Sequence, residues 1–422
     1  MNRLVFVVFC LFIFHNFSFA QYGPNYDENK VPEFELPNPL KTFRGKKVKN
    51  VKRWEKKRRP ELLEFFTQNV YGEVPGELNI SLYEVLEQSR NALNGKAIRK
   101  QVELTFKKDN HTLSFTILMY LPKNVETPPL FLGYNFYGNH TISNDVDIII
   151  SEAWSRDNPS FGIVHNQLTE QSRGVRTNRW PLNKIIDAGY GLAVIYYGEV
   201  DPDKDDMSDG IHPFFYIDDQ QQPADNEWGA IAAWSWGLSR AMDYFQKDID
   251  VDASKVIVFG HSRLGKTSLW AGATDTRFAG VISNNSGCGG AALSKRRFGE
   301  TVWRINRSFP HWFCRNFKYY SKSEEALPVD QHQLIALIAP RPVYVASAEE
   351  DKWADPKGEF LSALYASPVY KLYGKKGITQ KKMPEVNKPI QNTVAYHIRT
   401  GKHDVTDFDW EQYIIWADKF VK

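Results

Sequence analysis

The stretch that most limits what this chain can become runs from Val256 to Lys266. A β-branched apolar run, Val256-Ile257-Val258-Phe259, empties into Gly260-His261-Ser262-Arg263-Leu264-Gly265-Lys266 and then into the helix-forming Thr267-Ser268-Leu269-Trp270-Ala271. A strand that turns directly into a helix around a serine is the pattern of a nucleophile elbow of the Gly-x-Ser-x-Gly kind. Small residues at Gly260 and Gly265 suit so tight a turn. The turn would hold the hydroxyl above the carboxyl ends of a sheet, at a helix N-terminus whose N–H groups can stabilise an oxyanion. The ordinary alternative is a strand-to-helix turn with a serine cap. The strand before and the helix after favour the nucleophile.

In this fold a serine nucleophile is followed along the chain by an acid and then by a histidine. Four histidines follow Ser262: His311, His332, His397 and His403. His397 lies in the alternating run Thr393 to Arg399 and reads as a strand residue. His403 follows Thr400-Gly401-Lys402, in the loop before a closing helix expected from Trp410 to Lys422, and is the candidate base. His311 and His332 read as structural, although His311 stands among aromatics able to line a cleft. For the acid, the short apolar strand Val343 to Ala346 leads to Glu349, Glu350, Asp351 and Asp355, just ahead of a helix expected near Pro356. Asp351 is the first choice, with Glu350 and Asp355 behind it.

Strand and helix signals alternate elsewhere: Leu130 to Tyr134, Gly191 to Tyr196, a helix from Trp228 to Phe245, then Val256 to Phe259, Gly280 to Ser283 and Val343 to Ala346. Such alternation predicts an α/β-hydrolase fold, a mostly parallel sheet covered on both faces in three layers. Lys100 to Phe106 and Leu113 to Tyr120 alternate polar and apolar residues and predict an antiparallel hairpin at its N-terminal edge. The Asp- and Gly-rich stretch Tyr197 to Phe215 reads as a long loop over the carboxyl edge of the sheet.

With these residues in view, the chain resembles the glucuronoyl esterases, carbohydrate esterase family 15 of bacterial type, over nearly all of its length. The resemblance rests on Gly260-His261-Ser262-Arg263-Leu264-Gly265-Lys266, on Asn284-Asn285-Ser286-Gly287-Cys288-Gly289-Gly290, on Arg297-Phe298-Gly299-Glu300, and on Trp353-Ala354-Asp355-Pro356-Lys357-Gly358-Glu359-Phe360. It implies cleavage of the ester between lignin alcohols and 4-O-methyl-glucuronic acid groups of xylan. It further implies that Arg263 supports the oxyanion and that Lys266, Glu300 and Trp353 hold the uronic acid. Read alone, these residues have ordinary uses: surface charges, a salt-bridge partner, a core aromatic. One departure matters. Where many members carry a glutamate before Ser-Gly as the acid, this chain has Asn285. Either the acid has moved to the later loop, or the enzyme is weak. An acetylxylan esterase using the same Ser262 and His403, and a carbohydrate-binding pseudoenzyme, are the alternative readings.

The opening Met1-Asn2-Arg3, an apolar run from Leu4 to Phe14 and Ser18-Phe19-Ala20 predict a signal peptide over 1–20, leaving one exported catalytic domain over 21–422 with no membrane anchor. Loss of Cys10 leaves Cys288 and Cys314, which an oxidising compartment would pair into a disulfide bracing the loop of Glu300 and Trp303. No cluster has metal-ligand spacing and there is no phosphate loop, so neither a metal nor a cofactor is expected. Eleven Lys or Arg crowd residues 41–59, but Trp54, Leu62, Leu63, Phe65 and Phe66 recur beside them at near-helical spacing. That makes the cations the solvated face of an N-terminal helix, and the formal net charge of only +3 argues against nucleic acid as a partner. The expected partner is a glucuronoxylan or lignin–carbohydrate ester, bound by a monomer.

Overall fold

Residues 23–422 are described by a computed structural model; the expected signal peptide, with Cys10, lies outside them. Nine strands form one sheet: β1 Leu82–Asn91, β2 Ala97–Lys108, β3 His111–Pro122, β4 Leu130–Asn135, β5 Gly191–Tyr196, β6 Val256–His261, β7 Gly280–Asn284, β8 Val343–Ala348 and β9 Val394–Arg399, in the order β1-β2-β3-β5-β4-β6-β7-β8-β9. The pairings from β5 through β4 to β9 are parallel, and those joining β1, β2, β3 and β5 are antiparallel. This is the expected fold, and the expected hairpin is β2–β3. Every residue of β4 to β9 is buried, as central parallel strands covered on both faces require.

Alternation along β6 separates the two layers. Val256 and Val258 point into a core with the helices α3 Ala230–Phe245, α4 Arg263–Thr274, α6 Gln331–Leu337 and α7 Pro356–Leu372. Ile257 and Phe259 point into a second core with α2 Leu182–Asp187 and α8 Asp407–Phe420. The remaining labelled helices are α1 Arg59–Phe66 and α5 Val302–Ser308.

Two elements depart from the sequence reading. Strand β1 was not foreseen, because Leu82, Tyr83, Val85 and Leu86 are exposed and the apolar alternation of a half-buried strand is missing. It is held by backbone pairing to β2 and by the bidentate contact of Glu87 with Arg99. Helix α8 begins at Asp407 rather than Trp410, because Thr406 and Asp409 form a capping box that satisfies the first-turn N–H groups. The basic segment is only partly as expected: from Val51 on, Trp54, Arg58, Leu62 and Phe66, four apart, are buried and most cations face outward, but Lys41, Arg44, Lys46, Lys47 and Lys49 precede the helical run, outside any helix. No described helix is long and apolar enough to cross a membrane.

Candidate active site

Four consecutive parallel strands deliver the candidate residues to one edge of the sheet. Ser262 follows β6, Asn285 follows β7, Asp351 lies three residues beyond β8 and His403 four beyond β9. The carboxyl edge of a parallel sheet is where α/β proteins bind ligands.

Ser262 sits at the N-terminus of α4 with φ 59° and ψ −130°, a conformation that a non-glycine residue adopts only under local constraint. The constraint is visible. A Cβ on Gly260 would stand 1.9 Å from the carbonyl oxygen of Leu264, so the turn closes only on a glycine there. The second glycine falls one place later than Gly-x-Ser-x-Gly demands. Leu264 occupies that place with its side chain buried, and Gly265 instead gives room to Ser286 and the carbonyl of Gly260. Ser262 N donates to Asn284 O at 2.9 Å, tying the elbow to β7.

His403 and Asp351 meet at this edge. The ring Nδ1 lies 2.6 Å from Asp351 Oδ2, and the same oxygen accepts from Asn285 Nδ2 at 2.8 Å. Burial works to raise the Asp351 pKa, but the hydrogen bonds and charge of His403, together with the Asn285 amide, outweigh it and hold the carboxyl below its ordinary value. His403 is 39% exposed and its Nε2 has no protein partner among the described residues. Its ring stands 4.5 Å, centroid to centroid, from that of His261, the neighbour of Ser262. The other two acids are engaged elsewhere or exposed. Asp355 pairs with Arg296 at 2.8 Å and caps α7, and Glu350 is exposed.

The cationic residues beside the elbow are held in place. Arg263 lies among the rings of Phe136, Tyr197 and Trp312, with Nε 3.0 Å from Asp203 Oδ2. Asp203 also accepts from Trp312 Nε1 at 2.7 Å and contacts His311 Nε2 at 2.9 Å. Its burial would raise its pKa, yet Arg263, His311 and Trp312 drive it far below the usual carboxylate range. The long acidic loop thus supplies an anchor for Arg263 that its composition did not single out.

Lys266 is buried and donates to the carbonyls of Ser286 at 2.5 Å and Cys288 at 2.7 Å, with Glu300 Oε2 3.6 Å away. Glu300 is buried as well, which raises its pKa against the opposing pull of Lys266 and His403. Its backbone N–H donates to Trp353 O at 3.0 Å, which joins the loops of Glu300 and the half-exposed Trp353, and its carboxylate is near enough to His403 to feel that ring's charge.

Two buried carboxylates escaped the sequence reading. Glu359, on α7, accepts from the N–H groups of Ser286 and Gly287 at 2.7 and 3.0 Å and from Ser347 Oγ at 2.6 Å; burial pushes its pKa up to about 8. Asp409 holds His397 Nε2 at 2.9 Å, Arg399 Nε at 2.7 Å and Asn284 Nδ2 at 3.0 Å, while Asn284 Oδ1 contacts His261 Nδ1 at 2.7 Å. His397 is a buried strand residue of β9, as its alternating run implied, and His332 is buried against Pro37 O.

The expected disulfide is absent. Cys288 and Cys314 are buried free thiols whose pKa values burial pushes up, that of Cys314 to about 12. The loops they lie on are joined by packing: the Phe313 ring lies where a Cβ of Gly289 would be, and Tyr71 donates to Gly289 O at 2.9 Å.

The arrangement is similar to known proteins. A family model described as glucuronyl esterase, fungi, matches residues 174–374. Carbohydrate esterase MZ0003, from an unknown prokaryotic organism, is 54% identical over 398 residues, covering 94% of this chain and 92% of the relative. Among solved structures, a promiscuous CE15 esterase from a marine bacterial metagenome is 54% identical, with TM-score 0.89 and coverage of 94% of this chain and all of the other. A glucuronoyl esterase from Solibacter usitatus is 48% identical, with TM-score 0.87 and coverage of 92% of this chain and 99% of the other.

Proposed function

Since the chain belongs to carbohydrate esterase family 15, the glucuronoyl esterases, and is therefore a carboxylic ester hydrolase, we propose that it is a serine esterase acting on the ester between 4-O-methyl-glucuronoyl groups of xylan and lignin alcohols. In this reading it is exported after loss of residues 1–20 and works as one catalytic domain, residues 21–422. Ser262 attacks the ester carbonyl as His403 Nε2 removes its proton. The tetrahedral oxyanion develops beside the α4 N-terminus and the Arg263 guanidinium. Collapse expels the alcohol, protonated by His403, and leaves an acyl-enzyme that water, activated by the same ring, hydrolyses. Asp351 keeps the proton on Nδ1 and stabilises the imidazolium.

The observation that carries this reading is the 2.6 Å contact of His403 with Asp351 beside the strained elbow. The reading also gives Asn285 a use: at the position where the family resemblance places an acid, its amide donates to Asp351 instead. Glu300 and Trp353 are assigned to the uronic acid, one accepting from ring hydroxyls and one offering an apolar face. A second reading, deacetylation of xylan, draws support from Lys266, whose donors are spent on Ser286, Cys288 and Glu300 rather than on a sugar.

Hydrolysis of benzyl glucuronate measured beside a simple acetyl ester, with Ser262→Ala as control, separates the readings. Glu300→Ala and Trp353→Ala are expected to weaken the glucuronate reaction by about 10- to 100-fold, the loss of one or two hydrogen bonds or a stacking face, and to leave the acetyl reaction nearly unchanged. Equal losses on both esters return deacetylation to first place. No turnover of either by the wild type points to a binding protein.

A further inference from the structure

The basic segment at residues 41–59 is not used by the catalytic reading. Eleven of its nineteen residues are Lys or Arg and one, Glu55, is acidic, whereas the whole chain carries only +3, so the charge of the protein is strongly segregated. The structure folds this segment into two walls. A turn closed by Thr42 N on Lys46 O at 3.0 Å presents Arg44 and Lys46, and the helical run from Val51 to Arg58 presents Lys52, Arg53, Lys56 and Lys57. Between them lies an open groove of about 700 Å³ lined by these six cations with Thr42, Asn50 and Glu61.

None of the six forms an ion pair among the described residues. The groove's one carboxylate is already occupied, Glu61 accepting from Phe43 N at 3.1 Å and Arg58 Nη1 at 2.7 Å. Nor is the segment a loose tail. Trp54, Arg58 and Leu62 are buried, Arg58 lies over the Phe43 ring, and Arg59 donates to Ala273 O at 2.9 Å and Leu337 O at 3.3 Å. Cations carried on an anchored backbone, with the one neighbouring carboxylate already engaged, are arranged for an anion from outside.

We infer that this groove binds a carboxylated polysaccharide, holding the uronate-bearing polymer at a distance from the nucleophile. The choice of polymer rests on the proposed function, because each ester cut exposes one more carboxylate on the chain that remains. The lining favours it too. None of the residues lining the groove is aromatic or apolar, and the neighbouring Phe43 ring is covered by the Arg58 guanidinium, so the groove offers neither a stacking platform for bases nor a wedge for a lipid surface. Thr42 and Asn50 add hydroxyl-binding groups between the cations. Arg59, next to the groove's helical wall, grips α4 at Ala273, the end away from Ser262 of a twelve-residue helix about 18 Å long.

The test measures binding of polygalacturonate to the Ser262→Ala protein at low and moderate salt, with neutral xylan, duplex DNA and phosphatidylglycerol vesicles as comparison arms. Binding to polygalacturonate that weakens at least tenfold with salt, and again about tenfold in Lys52→Glu/Lys56→Glu, is expected; neutral xylan should not respond to the charge reversal. Arg44→Ser/Lys46→Ser, on the other wall, should weaken binding in the same direction. In a Ser262 background both double variants should hydrolyse soluble benzyl glucuronate within twofold of wild type and melt at an unchanged temperature. Polygalacturonate affinity indifferent to both double variants would overturn the inference, as would tighter binding of DNA or vesicles at equal charge. Loss of benzyl glucuronate hydrolysis in the wild type would instead overturn the proposed function, a separate readout.

Discussion

Two histidines six residues apart near the C-terminal end of the chain, His397 and His403, each pair with an aspartate, and the two pairs are built to opposite ends. His397 and Asp409 are fully buried and saturated: one ring nitrogen meets Asp409 at 2.9 Å and the other the Tyr344 hydroxyl at 3.0 Å, while the carboxylate also takes Arg399, Asn284 and the Thr406 N–H. His403 and Asp351 are closer, at 2.6 Å, yet the ring is 39% exposed and one of its nitrogens is uncommitted. The same two side chains make a rivet where every valence is spent and, in the proposed mechanism, a proton shuttle where one is left over. Residue type alone does not separate them; spare valence and access do.

The sharpest way to break this contrast is to remove each ring's function in turn. His403→Ala is expected to lower ester hydrolysis by roughly 10⁵-fold, and Asp351→Asn by roughly 10³- to 10⁴-fold, since the ring keeps its geometry but loses its orienting charge. Steady-state rates with circular dichroism as the folding control decide it, and a variant of His403 retaining a tenth of the activity would remove that pair from the mechanism. Asp409→Asn should do the converse. Breaking a buried ion pair leaves Arg399 uncompensated and costs about 3–5 kcal/mol, read by denaturant unfolding, while the folded fraction keeps most of its turnover. A thousandfold loss of rate at unchanged stability would transfer the catalytic assignment to the buried pair.

The smallest expected effect belongs to Glu359, which braces Ser286 and Gly287 and so the loop that carries Asn285. Its pKa in the folded protein, about 8, lies above the ordinary 4.5. Its contribution to stability is therefore complete below about pH 4.5 and is lost as pH rises through about 8. Glu359→Gln keeps the accepting oxygen and removes the titration. The decline in melting temperature between pH 5 and pH 8 should shrink by about 2–4 °C, since the linkage over that range is worth a few kcal/mol and each moves the midpoint of a chain of this size by about 1 °C. An unchanged slope would mean the carboxyl is not the source of the alkaline loss.

The sequence exposed the elbow, the parallel core and the candidate base because each is written in local order: apolar runs, a glycine that only a tight turn needs, a histidine between a strand and a helix. It also ranked Asp351 ahead of Glu350 and Asp355, and of the three Asp351 is the one that lies against His403. What it left hidden depends on contacts between distant residues. Asp203 lies 60 residues from Arg263 in a loop whose acidity looks like solvent exposure, and Glu359 sits inside a helix where a glutamate is ordinary. Strand β1 was hidden for the opposite reason, since an edge held by backbone pairing carries no burial pattern. The two cysteines misled because spacing gives no direction to a side chain, and burial in a packed core, not a bridge, is what their neighbours provide.

The amide of Asn285 touching Asp351 has a consequence for how such a protein changes over time. Strands β7 and β8 are parallel neighbours, so their ends offer two seats within hydrogen-bonding distance of each other for a single negative charge. Filling both would set two carboxylates in contact and force one to stay protonated. Filling neither leaves the imidazole without a counter-charge. On the proposed mechanism the architecture therefore fixes where the charge must be felt but not which strand brings it, and an amide in the other seat helps keep the occupied one ionised. A lineage can hand the acid from one strand to the next without moving the ring it serves.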